Sequence, residues 1–390
     1  MIKRLSLPLQ LILIIIFVIA GGSFIPENIV RGCYTFSMLF KELLNLFLPA
    51  MVFSFVFAGI IGFKKSAPLV LTVMLSMITL SNTLTALITY GIANITLPFI
   101  CNNQAGACLL NNDIKITPFF TFSLPCPISS EKALLLALGL GLLLNFFSMP
   151  LLEKALLQLK DIIKNILNNY FIPFIPLYVL GFLLKIHYEG VFGQLITYYG
   201  KIFLLIILIQ IIYLTLLYFV ANKFSFTKTK KSIRNAVPSY LTGFSTMSST
   251  ATIPVTLEGV EKNIGKSAFA LLAVPITANV HLLGDCISTP LLALVTMKLF
   301  FGTIPSLINY LTFLGYFSTS MLAAAGVPGG GILVIIPILK SILGFTPEMI
   351  SIITTLYLLQ DPIGTAGNVM GDGALIIMMN NTLKKFKIIK

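Results

Sequence analysis

The chain has 390 residues, of which 57% are hydrophobic and 10% charged, and its mean hydropathy is +0.98. Soluble globular proteins carry about 25% charged residues, so this composition excludes a soluble domain and defines a polytopic membrane protein. The net charge of +13 does not signal nucleic-acid binding. The basic residues sit at the ends of apolar runs, at Lys3 and Arg4, Lys64 and Lys65, "KFSFTKTKKSIR" and the tail "KKFKIIK". That is the positive-inside pattern, which predicts a multi-pass protein of the cell membrane with both termini in the cytoplasm.

Runs apolar enough to span, at about 20 residues each, occur near 7–25, 36–62, 68–98, 133–151, 170–186 and 200–221. The first, "MIKRLSLPLQLILIIIFVIAGG", also has the basic start, apolar core and small residues of a secretory signal. Its length, and the second span close behind it, favour a retained helix. The polar loop 100–131 holds Cys101, Cys108 and Cys126 without CxxC spacing or a histidine cluster, which leaves metal binding unsupported. If that loop lies outside, a Cys101–Cys108 disulfide can form; free thiols are the alternative. "EKALLQLKDIIKNIL" is amphipathic and suits an interfacial helix.

The back half differs. "AVPSYLTGFSTMSSTATIPVTLEGVEK" is interrupted at its middle by Ser245, Thr246, Ser248, Ser249, Thr250, Thr252 and Pro254, and Glu258, Glu261 and Lys262 follow. A re-entrant hairpin fits this better than an ordinary span with hydroxyls bonded to its own backbone, because non-helical backbone at membrane depth must lie inside protein or beside a cavity. The apolar stretch 267–300 is broken at "TANVHLLGDC", which puts His281 and Asp285 at membrane depth. "SMLAAAGVPGGGILVIIPIL" cannot be continuous helix, since a proline and three glycines break its centre; it is the second hairpin candidate. Paired, interrupted apolar segments are the sequence mark of a transporter's midplane site.

The last span carries "LLQDPIGTAGNVMGDGAL". At 100° per residue, Asp361, Thr365, Asn368 and Asp372 fall on one stripe, with Gly364 beside it leaving room for close approach. Carboxylates and amides facing inward suit an ammonium group or a hard cation such as Na⁺. A polar seam gluing helices together is the plainer reading and needs one or two such groups rather than four.

These residues resemble the dicarboxylate/amino acid:cation symporters, the glutamate-transporter-homologue family. The matching stretches are "SSTATIPVT", "AGVPGGG" and "DPIGTAGNVMGD", the last against a family pattern D-x-x-R-T-x-x-N-x-x-x-D; "LFLPAMVFSFVFAGIIG" looks like the family's second helix. The resemblance implies an all-α polytopic membrane protein with about eight transmembrane helices and two re-entrant helical hairpins. It implies membrane helices 1–6 over 1–235, which supply the scaffold and trimerisation elements and parts of the transport domain, a transport core over 236–390, and a homotrimer in lipid. It gives a substrate site of Ser248, Ser249, Thr250, Val327, Pro328, Gly329, Asp361, Gly364, Thr365, Asn368 and Asp285, in which Asp361 holds an amino group and Asn368 with the serines holds a carboxylate. Asp372, Asn368 and either Asn279 or His281 stand at the Na⁺ positions, and Gly326, Gly330 and Gly331 belong to the gate.

The departures from the family shape the expected function. The arginine that pairs with an acidic substrate side chain falls on Gly364, removing the bidentate clamp a carboxylate needs. In "HLLGD", His281 stands for an asparagine, Leu283 for an ion-binding aspartate and Asp285 for a threonine; a small shift puts Asn279 in the asparagine's place. One sodium site is therefore incomplete, and His281 either carries a proton or is a neutral structural histidine. The expected function is Na⁺- or H⁺-coupled symport of an amino acid, neutral rather than cationic, without organic cofactor. The alternatives are an acidic amino acid or dicarboxylate symporter, or a channel-like or inactive member of the fold. A channel would show a repeated selectivity filter. An enzyme would show a motif such as G-x-S-x-G or H-E-x-x-H. Neither is present.

Overall fold

The protein is seen in a computed structural model that describes residues 7–62, 68–101, 116–122, 124, 128, 130–147, 149–190, 192–321, 324 and 329–388. Among these residues the regular structure is helical throughout. The front half forms α1 (Leu7–Gly21), α2 (Glu27–Gly62), α3 (Pro68–Ile100), α4 (Ser130–Phe146), α5 (Pro150–Ile166), α6 (Ile175–Tyr188) and α7 (Phe192–Ala221). The back half forms α8 (Phe226–Thr246), α9 (Ser249–Ile264), α10 (Ala268–Val280), α11 (Leu283–Phe301), α12 (Leu307–Met321), α13 (Gly330–Leu343) and α14 (Pro347–Lys385). The predicted spans recur with shifted ends. The second begins at Glu27, whose carboxylate lies in the first turn where the helix dipole favours it.

The helices pack in two groups. Around α2 lie α4, α5 and α6, with α1 against α6. The α2–α6 crossing is close because Gly181 has no side chain: a Cβ there would lie 2.2 Å from the Cys33 carbonyl oxygen. Ser37 Oγ donates to Tyr178 O across the same contact at 2.8 Å. Around α14 lie α7, α8, α9, α10, α11 and α3. Thus α3 and α7 from the front half pack with the back half, and the expected boundary at 235/236 falls inside α8. The chain returns to the core group because a polar helix such as α14 must be covered on every side.

Both interrupted segments fold as antiparallel arms, α8 on α9 and α12 on α13. At 1.5 Å per residue, α9, α12 and α13 reach only about 24, 23 and 21 Å, short of a ~30 Å hydrocarbon core. At the break between α8 and α9, Met247 and Ser249 are buried while Ser245 and Thr246 are exposed. By contrast α14 has 39 residues, about 58 Å, and runs the full depth of the bundle. Three helical stretches among the described residues are long and apolar enough to cross a membrane, Thr72–Ile100, Thr197–Ala221 and Ala268–Phe301, the last bridging the break between α10 and α11.

Candidate functional site

The site forms where two half-helices begin beside α14. The chain leaves helix at His281, whose backbone is extended, passes through Leu282 and restarts at Leu283. A new helix start exposes amide N–H groups that need acceptors. Asn368 of α14 supplies one: its Oδ1 accepts from Gly284 N at 2.7 Å and from Asp285 N at 3.3 Å. This cap requires close approach, and Gly284 permits it; a Cβ there would lie 2.1 Å from the Gly364 carbonyl oxygen. Asn368 Nδ2 donates in turn to Asp285 Oδ2 at 2.8 Å, and Tyr357 OH donates to Asp285 Oδ1 at 2.6 Å. Asp285 lies in the first turn of α11, where the helix dipole favours its charge.

The second start is that of α13. Gly329 caps it with φ +72, a left-handed conformation that suits glycine, and its N–H donates to Asp361 Oδ2 at 2.7 Å. Thr365 Oγ1 donates to Asp361 Oδ1 at 3.1 Å. Gly330 and Gly331 open the helix; a Cβ at Gly331 would lie 2.3 Å from Tyr357 OH. The expected stripe is present, with Asp361, Thr365, Asn368 and Asp372 all buried. Among the described residues no lysine or arginine pairs with Asp285 or Asp361.

A third cluster lies further along α14. His281 Nδ1 is 2.9 Å from Asp372 Oδ1, and Ser81 Oγ of α3 is 3.0 Å from His281 Nε2. Asn82 Nδ2 donates to Val280 O at 3.0 Å, bracing the break. Asp372 Oδ2 is buried with no partner among the described residues. An orphaned carboxylate oxygen fits a cation or a water, but Na⁺ wants several more oxygens. Leu283, expected at an ion-binding position, packs against Gly371 with an apolar side chain.

The remaining predicted residues divide. At the first hairpin, Met247 (φ 52) turns the chain and Ser248 caps α9, accepting from Ala251 N at 3.3 Å. Ser248 Oγ and Thr250 Oγ1 share a hydrogen bond of 3.0 Å, and Ser249 is buried. The arm reaches α14 through Gly243, where a Cβ would meet Val369 and the Thr365 carbonyl. Asn279 is exposed and donates to Pro275 O of its own helix, so His281 rather than Asn279 faces Asp372. Gly326, Val327 and Pro328 lie outside the described residues, as do Cys108 and Cys126. Cys101 is a buried free thiol.

Ser81, Asn82, Tyr357 and Gln360 join the site although the sequence reading passed over them. Ser81 and Asn82 were signalled by the polar run Ser81-Asn82-Thr83 in a span without charged residues. Gln360 was signalled by its i, i+4 spacing to Gly364, one stripe over from the aspartates.

Fold and site together define a polytopic helical membrane protein in which discontinuous helices meet a charged stripe inside the bundle, the arrangement by which secondary transporters hold substrate and ion. The chain belongs to the sodium:dicarboxylate symporter family, which it matches over residues 7–382. It is also similar to excitatory amino acid transporter 1 of Rattus norvegicus, with 26% identity over 233 residues; the match covers 57% of this chain and 39% of that protein.

Proposed function

We propose that the protein is a cation-coupled symporter of a neutral amino acid, working by alternating access with the α12–α13 hairpin as gate. One observation carries the substrate class: Asp285 and Asp361 are both buried, and among the described residues neither pairs with a lysine or arginine. A buried charge left without a counter-charge is costly, so a ligand's ammonium is favoured at Asp361. An acidic side chain is disfavoured, because Asp285 Oδ1 stands 3.4 Å from where a Cβ at Gly364 would lie.

As the structure stands, Asp361 holds the hairpin tip through Gly329 N–H. A substrate ammonium at Asp361 competes for the same oxygens, which couples occupancy of the site to the position of the tip. Ser248 and Ser249 supply hydroxyls for the substrate carboxylate. Asn368 positions Asp285 and the α11 start, since both ends of its amide are already engaged. For the coupled cation, Asp372 Oδ2 supports a Na⁺ or water, whereas His281 on Oδ1 supports a proton. We assign a homotrimer with both termini cytoplasmic on the family's pattern and the positive-inside charge distribution.

The test is uptake of radiolabelled amino acids into proteoliposomes under an inward Na⁺ gradient or a pH gradient. Saturable, gradient-dependent uptake of alanine, serine or threonine supports the proposal. High-affinity aspartate or glutamate uptake overturns the neutral class. Non-saturating, gradient-independent conductance would favour a channel.

A further inference from the structure

We infer that Gln360 and Asp285 form the subsite that reads the substrate's side chain, and that this subsite takes a carboxamide, as in glutamine or asparagine. The inference rests on the symport reading above and deepens it. Gln360 is 0% exposed, and neither Oε1 nor Nε2 has a partner among the described residues. Leaving a buried amide unsatisfied costs about 1–3 kcal/mol on protein mutational scales, and leucine would fill the same space without that cost. The amide is held beside Asp285, over Gly364 of the same helix. A Cβ placed on Gly364 would lie 3.3 Å from Gln360 Oε1, 3.4 Å from Nε2 and 3.4 Å from Asp285 Oδ1. Gln360 and Asp285 therefore line one wall, at the position where the family's arginine would begin.

The wall's chemistry selects the ligand group. Asp285 Oδ1 takes one hydrogen bond, from Tyr357, and has a lone pair left. Gln360 adds an acceptor and a donor, and exchanging its O and N leaves the same pair. An apolar side chain satisfies none of these. An ammonium or guanidinium satisfies the acceptors but offers Nε2 nothing to bond. A carboxylate satisfies Nε2 but sets its charge against Asp285. A carboxamide provides an NH₂ for the acceptors and a carbonyl for the donor.

The experiment measures kcat/KM for glutamine, asparagine, alanine, norleucine and lysine in proteoliposomes of the full chain, with Gln360→Leu and Gln360→Glu. The readout is the ratio between substrates, which does not depend on the amount of folded protein. Sites that hydrogen-bond a substrate group discriminate strongly against analogues lacking it, so wild type should prefer a carboxamide over norleucine by at least about tenfold. Gln360→Leu should bring that ratio toward one. Gln360→Glu, which keeps the size but offers only acceptors, should shift preference toward lysine. Ratios unmoved by both substitutions, or wild-type uptake of alanine without preference for a carboxamide, would overturn the subsite while leaving neutral symport standing. Wild-type protein that moves no amino acid at all would remove the symport reading and this inference with it.

Discussion

Asp361 illustrates how one carboxylate can serve two partners. It accepts from the hairpin tip and from Thr365, and both donors are neutral, so its charge remains available to a ligand cation. Truncating one partner of a buried charge pair costs about 2–5 kcal/mol. Asp361→Ala should therefore lower neutral amino acid uptake by at least about thirtyfold, measured as kcat/KM; retention of uptake would remove Asp361 from the substrate site. Gly364→Arg is a sharper test of the wall. Its guanidinium would emerge beside Asp285 and pair with it, so the single variant should lose neutral uptake without gaining aspartate. Gly364→Arg with Asp285→Thr should gain aspartate uptake, because the clamp is then free for the substrate.

At the scale of elements, the site depends on two helix starts pressed against α14. Gly284 and Gly331 make those approaches possible, and their neighbours differ in kind. A Cβ at Gly284 meets a backbone carbonyl, whereas one at Gly331 meets the Tyr357 hydroxyl. Overpacking costs about 1–3 kcal/mol. Both alanine variants should melt lower in thermal unfolding of the detergent-solubilised protein, Gly284→Ala by more, since backbone cannot rotate aside. Gly331→Ala should additionally alter substrate ratios, because Tyr357 must leave Asp285 to make room. Equal melting shifts with unchanged ratios would mean that the hairpin is not coupled to this wall.

For the whole molecule, the division of packing sets the expectation. The α2-centred group and the α14-centred group contact each other through few elements, among them α1 and α6 against α14 and α13 against α2 and α4. A core that moves as a unit while a scaffold stays fixed fits that division. If the α2 group is the trimer scaffold, native mass spectrometry should show trimers, and Asp361→Ala should leave them intact. Uptake driven by a pH gradient, lost in His281→Ala, would assign coupling to the His281–Asp372 pair. Uptake driven by Na⁺ and lost in Asp372→Ala but kept in His281→Ala would assign it to the carboxylate alone.

The sequence by itself determined the solvent, the helical class and two of the places where helices break, beside Ser248 and at His281, whereas the last polar span, which its glycines and proline marked as broken, is one continuous helix. Those follow from composition and from proline, glycine and polar residues, which act locally on the backbone whatever lies around them. It also placed Asp361, Thr365, Asn368 and Asp372 on one stripe, because helical periodicity is a local property. Only the tertiary structure decided which groups meet that stripe. His281 rather than Asn279 faces Asp372, Asn368 caps α11, and Gln360 and Asp285 share the wall at Gly364, since contacts between residues so far apart in the chain are set by how helices cross. The grouping of α3 and α7 with the back half is of the same origin. A polar helix inside a membrane must be enclosed on all sides, and which spans enclose it is settled by packing rather than by order in the chain.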